Sequence, residues 1–582
     1  MIKSFKYILM SATFMASFSS CSDSFLDREQ DERVDVVRLD QVTQLLSTAY
    51  STGNYGWLSE ISSDNVIDIN SRFLAPQSNG SDVLVHFNLT SYERADDEAF
   101  RFEPVKSSTG TDSPSVIWEG CYNAIATVNH ALELLDKIKE KNGGEFTGTD
   151  LAVANAAYGE AYLSRAYHHF ILTCMFSQAY KNDELSKADV GIPYITTCED
   201  KVLGEYDRGT VTDDYAKIQE DLEKGLALIS NVNYGNNTLK WHFNVNAAHA
   251  FAARFYLYKR DYDKVIEHAN AVLTTDPATT ETMLMDYSNF DRCTTRNDYA
   301  NIWQGPNEMN NLMLIATYST QWRRSVGNRY AYAGPALRDI WRHLGPNWRF
   351  YSMPAASVSG STFYDGNADH GFACTKIAER FEYTDKVSGI GFAHIIRREF
   401  TCTELLLNRA EAYLLKENPE VDKCIQDLIS YENSRQSFSP ANKAFFTSGG
   451  ALSELTKEKI DSWYVDTSHS NTLADWDFLT NMGFKQMPAD NVKYMNAIND
   501  MRRYETAYTG LRFFDLKRWG MEYSHEYGPD NVKYEMKWND PRRAIEVPQE
   551  VLAAGMTSSQ KPILVPNETK ATYCSIPQYT HK

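Results

Sequence analysis

The sequence lacks the short motifs by which the common enzyme chemistries are recognised. It contains no G-x-S-x-G, H-E-x-x-H, Walker A or G-x-G-x-x-G pattern. The run over 365–369 begins like an EF-hand loop, but His370 stands where that loop needs glycine and Lys376 where it needs glutamate. Glu404 and Glu411 could share a face of one predicted helix, a common arrangement of surface carboxylates. The sequence therefore predicts no catalytic residue and no cofactor.

Cysteine and basic residues are also scarce. The nine cysteines form no C-x-x-C pair and have no histidine partner at zinc-site spacing, which argues against a metal site. The 58 Lys and Arg residues against 77 Asp and Glu leave a net charge of −19, which disfavours nucleic acid and anionic membrane surfaces as partners. Beyond the N-terminal segment, no apolar run approaches the length of a membrane-spanning helix.

The N-terminal segment has the order of a secretory signal. Two lysines precede an apolar run over 7–18, and two serines then lead to Cys21. This order predicts a signal peptide over 1–20 and a lipidated N-terminus at Cys21, as in a bacterial lipoprotein. Phe18 stands where such signals usually have leucine. The alternatives are a soluble secreted protein with a chance cysteine near the cut, or an uncleaved anchor.

Apolar residues recur at steps of three and four in several blocks, which is the pattern of amphipathic helices. One stripe begins at Trp118, and its helix is expected to end at Gly143 and Gly144. A second block covers 159–176. A third begins at Thr212, which we predict to be its N-cap.

The block over 247–277 resembles a 34-residue tetratricopeptide repeat. Its small, aromatic and helix-stopping positions are matched by Ala253, Tyr256, Ala269 and Pro277. Val265 replaces the usual alanine, so the match is partial. A related half-repeat recurs over 404–429, with Ala410 and Tyr413 in equivalent places. Because a regular solenoid would stack its repeats without interruption, the long stretch between these pairs must form something else.

Long blocks with weak helical periodicity separate the helical ones. They are rich in Gly, Asn, Ser, Asp and aromatic residues and cover about 67–114, 279–400 and 437–491. The helical scaffold is expected to cover about 115–278, 401–436 and 492–523. Structureless loops of such length are uncommon in compact domains. We therefore predict a mainly α fold, a single domain over 21–582, in which helical pairs support an irregular, loop-rich lobe with short strands.

Aromatic residues make up 13% of the chain, and several lie among polar residues in the irregular blocks. A flat ring beside Asn, Gln and Arg suits carbohydrate, because a sugar ring lies on the aromatic face while amides and guanidinium groups bind its hydroxyls. The glycan-binding candidates chosen on this basis are Trp57, Trp303, Trp322, Arg323, Tyr330 and Tyr332. The cluster around Trp322 is favoured over any single member.

Several blocks match one family pattern over nearly the whole chain. They are Cys21 with SDSFLD, WEGCYNAIATVNHALE, GEAYLSRAYHHFILTCMF with GIPYITT, RGTVTDDYAKIQEDLEKGL and AIEVPQEVL. The most specific is RRYETAYTGLRFFDLKRWG, in which Arg512, Asp515, Arg518 and Trp519 match. Thr509 replaces the usual glutamate. We interpret the i,i+3 pairs of Asp515 with Arg512 and Arg518 as stabilising the fold. The chain thus resembles the SusD/RagB nutrient-binding lipoproteins of Bacteroidota.

The resemblance implies a fold and a function. Members are α-helical, with tetratricopeptide-like pairs under a loop-rich lobe. They are non-catalytic lipoproteins on the outer face of the outer membrane, which bind oligosaccharide or polysaccharide and deliver it to a SusC-like TonB-dependent transporter. Family ligand contacts vary, so the aromatic candidates rest on chemistry alone. Two other hypotheses stay open: an exported glycoside hydrolase, and a repeat-type scaffold that binds protein partners.

Overall fold

The computed structural model describes most of the chain. The described residues are 38–76, 82–106, 110–199, 206–333, 336, 340, 364–367, 371–435, 455–465, 473–558 and 567–570. Cys21 and the predicted signal peptide lie outside them. Among the helices in these ranges, none has both the length and the hydropathy needed to cross a membrane.

Helices dominate the described chain, as the sequence predicts. In chain order they are α1 Leu39–Leu46, α2 Gly56–Ile61, α3 Arg94–Phe100, α4 Pro114–Lys141, α5 Gly148–Phe176, α6 Val211–Leu228, α7 Val245–Lys259, α8 Tyr262–Leu273, α9 Pro277–Met283, α10 Arg296–Trp303, α11 Gln321–Arg324, α12 Cys402–Leu415, α13 Val421–Arg435, α14 Lys457–Trp463, α15 Val492–Thr506, α16 Leu511–Trp519 and α17 Gln549–Ala553. The fold is therefore mainly α.

The strands are short and antiparallel. They are β1 Ile67–Asp68, β2 Phe73–Pro76, β3 Asp82–Val85, β4 Asn311–Tyr318, β5 Tyr330–Ala331, β6 Tyr364–Asn367, β7 Gly371–Cys374, β8 Arg380–Asp385, β9 Ile390–Thr401, β10 Tyr523–Tyr527, β11 Val532–Met536 and β12 Asn567–Lys570. Two sheets have three strands, in the orders β4-β9-β8 and β10-β11-β12. The remaining strands form the pairs β1-β5, β2-β3 and β6-β7.

The long helices begin and end where their sequences provide caps. The hydroxyl of Ser113 accepts a bond from a backbone N–H at the start of α4, and Pro114 occupies its first turn. The helix ends before Gly143 and Gly144, which both have positive φ, as predicted. Helix α6 begins at Val211 instead of after Thr212, so the predicted N-cap is wrong by two residues.

The two tetratricopeptide-like pairs, α7 with α8 and α12 with α13, meet in space. Helix α8 packs against both α7 and α12, although about 130 residues separate the pairs along the chain. The small residues Ala253, Ala269 and Ala410 have no exposed surface, which lets the helices approach closely. Pro277 does more than stop α8, because it occupies the first turn of α9.

The sheet β4-β9-β8 is held directly on this helical scaffold. Strand β9 runs without a loop into α12, and the hydroxyl of Thr401 caps that helix by accepting a bond from the Glu404 N–H. Helix α7 packs on both β4 and β9. Because the scaffold fixes two of its strands, the sheet can present the third, β8, and its loops in a defined geometry.

Candidate functional site

Five of the six glycan-binding candidates are buried, and four of them have almost no exposed surface. The exposed fraction is at most 1% for Trp57, Trp303, Tyr330 and Tyr332. The indole N–H of Trp57 donates to Asp96 at 2.8 Å. The ring of Tyr332 stacks on Tyr508 with centroids 3.9 Å apart, and its hydroxyl donates to Glu60. Because rings this deeply buried have no face open to a sugar, these four residues support the fold instead of contacting a ligand.

The other two candidates lie nearer the surface. Trp322 is 7% exposed, and the guanidinium of Arg296, at the start of α10, lies 5.2 Å from its ring centroid. The side chain of Arg323 is 58% exposed and forms an ion pair with Glu379. Glu379 directly precedes Arg380, the first residue of β8. The partners of Trp322 and Arg323 thus lie on α10 and just before β8, and both elements line an open cleft.

This cleft, which we call the amide cleft, has a volume of about 510 Å³. It lies between the C-terminal end of α10, the turn that follows, and the start of β8. Its lining residues are Trp241, Asn289, Asn301, Ile302, Gln304, Gly305, Pro306, Asn307, Glu308, Arg380 and Ile396. Most of them are uncharged and polar or apolar, which suits a neutral hydroxylated ligand.

The turn after α10 is shaped by a glycine and an asparagine. A Cβ at Gly305 would lie 2.4 Å from the backbone oxygen of Asn301, so the chain can pass this point only as glycine. The side-chain amide of Asn311 donates to the backbone oxygens of Trp303 and Gly305 at 2.9 and 3.0 Å. These contacts fix the direction in which the following residues line the cleft.

Arg380 is the central polar group of the amide cleft. Its Nε donates to Oε1 of Gln304 at 3.1 Å, and its Nη2 donates to Oδ1 of Asn301 at 2.9 Å. The Gln304 amide in turn donates to the backbone oxygens of Lys376 and Ala378, both at 3.3 Å. Since these bonds hold the guanidinium in place before a ligand arrives, little ordering is left to be done on binding.

Burial sets the electrostatics of the cleft. It lowers the pKa of Arg380 below its ordinary value and raises the pKa of Glu308 above its own. It also lowers the pKa of His394, which lies opposite Arg380 on β9, so the imidazole is neutral at pH 7. The group around Arg380 therefore combines one guanidinium with uncharged hydrogen-bond donors and acceptors.

An exposed aromatic pair continues the lining of the cleft along the sheet. Tyr318 and Phe392, which we call the aromatic shelf, are 38% and 49% exposed, with ring centroids 5.0 Å apart. Phe392, His394 and Ile396 alternate on one face of β9, and Ile396 lines the amide cleft. Four residues of strand put the shelf roughly 13 Å from the cleft on the same face.

The carboxylates of this region offer no pair for glycoside hydrolysis. Glu308 is the one carboxylate among the residues that line the amide cleft. Glu404 and Glu411, which share a helix, are engaged in the core by Arg254 and Arg518 respectively. Glycosidases of the usual mechanism need two carboxyl groups flanking one bond. Apart from Glu308 and Arg380, the side chains that line the amide cleft are uncharged.

Two family models match the chain over separate ranges. One, for SusD-like proteins described as starch-binding and associating with the outer membrane, matches residues 24–257. The other, for the SusD family, matches residues 349–566. Together they include α4 to α6, the hairpin of β8 and β9, and α12 to α16. The chain belongs to the SusD/RagB family.

Solved structures of SusD relatives share the fold at low sequence identity. A SusD superfamily protein from Bacteroides thetaiotaomicron is 16% identical with a TM-score of 0.53, covering 90% of this chain and 100% of its own. A SusD superfamily protein from Bacteroides vulgatus is 18% identical with a TM-score of 0.52, covering 90% and 98%. A SusD-like carbohydrate binding protein from the same species is 14% identical with a TM-score of 0.51, covering 89% and 96%. No curated protein matches the sequence.

The amide cleft of this SusD/RagB member is lined by sequence neighbours of the predicted residues. The segment around Trp303 does reach the cleft, but through its amides, Asn301 and Gln304, while the indole turns into the core. Arg380 and Phe392 were not anticipated. The alternation of polar and aromatic residues in 380–394 marks this exposed hairpin, and it is the sequence signal that could have found them.

Proposed function

We propose that this SusD/RagB family member binds oligosaccharide without cleaving it, in the amide cleft and on the aromatic shelf. The observation that carries the proposal is the guanidinium of Arg380, held by two side-chain amides on the sheet face that exposes Tyr318 and Phe392. Fixed donors and acceptors select the hydroxyls of a sugar, and flat rings take its apolar face.

The proposal extends to the location of the protein and to its partner. The predicted lipid at Cys21 would hold the binding lobe at the outer face of the outer membrane, where a SusC-like TonB-dependent transporter would receive the bound glycan. Two findings support this: the signal-like order of the first residues, and the description of the matching family model as associating with the outer membrane.

A panel of glycans titrated against the purified protein tests the binding function. We expect saturable binding of at least one oligosaccharide class with no new reducing ends after incubation. Phe392→Ala should weaken that binding about tenfold, since a stacked ring in a binding site contributes on the order of 1–2 kcal/mol. Isothermal titration calorimetry measures the change.

The matched control is Phe381→Ala. Phe381 is 45% exposed on the same hairpin, but it lies opposite Ala393 and so projects from the other face of the sheet. The control should bind like the wild type. Equal affinity of all three proteins would show that the shelf is not the site, and release of reducing ends would support the hydrolase hypothesis instead.

A further inference from the structure

A second group of potential ligand atoms lies on the helical scaffold, on elements that do not line the amide cleft. His130 and Glu133 are on α4, and Cys198 is in the segment between α5 and α6. One ligand atom from each of the three lies within 4.8 Å of the other two. Among the described residues, this is the one group of three or more such side chains that comes so close.

Local structure holds the three side chains together. The two helix residues are three apart, so they lie on the same face of α4. The side-chain amide of Asn129, next to His130, donates to the backbone oxygens of Ile195 and Thr197 at 3.3 and 3.2 Å. These two bonds fasten the segment that carries Cys198 to the helix that carries the other two groups. Their closeness is therefore a property of the fold.

The present partners of Glu133 are ones that a cation could replace. The Cys198 thiol lies within 4.8 Å of this carboxylate, and the ammonium of Lys137 lies 2.6 Å from it. Glu133 and Lys137 are both exposed, so that ion pair contributes little to stability. A divalent cation would take the place of the thiol proton and compete with the lysine.

The mixture of donors selects the metal. Mg²⁺ and Ca²⁺ take oxygen ligands, whereas sulfur and imidazole nitrogen suit zinc and similar borderline cations. Three protein ligands leave the fourth position of a tetrahedral zinc ion to water or another ligand. We propose that His130, Glu133 and Cys198 bind one zinc-class divalent cation with its fourth position open.

A larger cleft borders this group. It has a volume of about 1130 Å³, and Cys198 lines it together with Trp118, Tyr122 and Tyr206. A cation on Cys198 would thus lie at the edge of the cleft, where a ligand within the cleft could supply the fourth donor. Sequence spacing argued against such a site, because Cys198 is 68 residues from His130 and the spacing matches no zinc motif.

Titration of the purified, metal-free protein with Zn²⁺ and with Co²⁺ tests the proposal. We expect one ion per chain at this site and, with Co²⁺, the near-ultraviolet charge-transfer band of a thiolate ligand. Cys198→Ser should abolish that band, and both Cys198→Ser and Glu133→Gln should weaken Zn²⁺ binding at least about tenfold. His86→Ala removes an exposed histidine elsewhere and should change neither result.

A variant that is expected to bind Zn²⁺ more tightly distinguishes a loss of the site from a folding defect. Lys137→Gln removes a positive charge beside Glu133 and should tighten Zn²⁺ binding about threefold, which a misfolded protein would not show. The proposal fails if the wild type shows no saturable Zn²⁺ binding, or if Cys198→Ser and Glu133→Gln, folded by circular dichroism, bind like the wild type.

Discussion

Glu60 shows how a single buried acid organises the core. It lies on α2 with no exposed surface and accepts a bond from the Gly510 N–H at 2.7 Å and from the Asn65 amide at 3.1 Å. The hydroxyl of Tyr332 donates to the same carboxylate, so this ring serves Glu60 and not a sugar. Desolvation raises the pKa of Glu60 from 4.5 to about 7.

This shift predicts a dependence of stability on pH. A carboxyl group with a raised folded pKa stabilises the protein below its unfolded pKa of 4.5, and the stabilisation is lost as pH rises through about 7. Between pH 5 and pH 9, the wild type should therefore lose on the order of 3 kcal/mol of unfolding free energy relative to Glu60→Gln. Urea unfolding at a series of pH values measures the difference.

The comparison with a variant is needed because other buried groups titrate in the same range. Burial raises the pKa of Asp214 to about 8 and lowers that of Lys517 to about 7, and these two shifts act in opposite directions on stability as pH rises. Glu140→Gln, at an exposed position on α4, is the control and should track the wild type. If Glu60→Gln instead differs from the wild type by the same amount at every pH, Glu60 does not titrate as described.

The start of α6 shows what an element's sequence leaves open. The sequence analysis chose Thr212 of the run TVTDD as the cap, because periodicity alone does not distinguish it from Thr210. The structure uses Thr210, because Asp213 lies three residues later and its side chain bonds back to the Thr210 N–H at 3.1 Å. The hydroxyl of Thr212 donates instead to the backbone oxygen of Asp183.

Thr210→Ala should therefore destabilise the protein by about 1 kcal/mol, because the first turn of α6 loses a side-chain acceptor. Thr212→Ala, a matched substitution two residues away, removes no cap and should cost less. Thermal unfolding of both variants under one set of conditions gives the comparison. A larger loss of stability in Thr212→Ala would show instead that Thr212 is the N-cap of α6.

At the scale of elements, the sequence predicts the helices well but not which aromatic side chains are buried. Periodicity located α4 and its end at Gly143, because each helix shows its buried face within its own residues. Trp303 is buried partly against Arg398 of β9, whose guanidinium lies 4.7 Å from the indole centroid. That strand is about a hundred residues away, and no local pattern reports the contact. Local patterns could therefore not show that the indole of Trp303, chosen as a glycan-binding candidate, is buried.

At the scale of the whole molecule, segments far apart in the sequence share one core. Arg512 donates through Nε and Nη2 to Asp64, both at 2.8 Å, and neither side chain has exposed surface. The i,i+3 pair predicted between Arg512 and Asp515 is therefore not the main contact of that arginine, while the pair of Asp515 with Arg518 is present at 2.8 Å. Asp515 also binds Arg502.

The lipid anchor predicted at Cys21 also concerns the whole molecule, because it would decide whether the protein stays at a membrane. If Cys21 is lipidated, Cys21→Ser should move the protein from the membrane fraction to the soluble fraction, because acyl chains are what hold it at the bilayer. Cell fractionation with immunoblotting measures the partition. Cys198→Ser leaves the lipidation position intact and should remain with the membranes. Retention of Cys21→Ser would favour an uncleaved anchor.

The contact between Asp64 and Arg512 also limits how early in synthesis the core around it can form. The two residues are 448 positions apart, so Asp64 cannot be neutralised until most of the chain has been made. Leaving one partner of such a buried pair alone costs about 3–5 kcal/mol. The core that they share can therefore close only after Arg512 has been made.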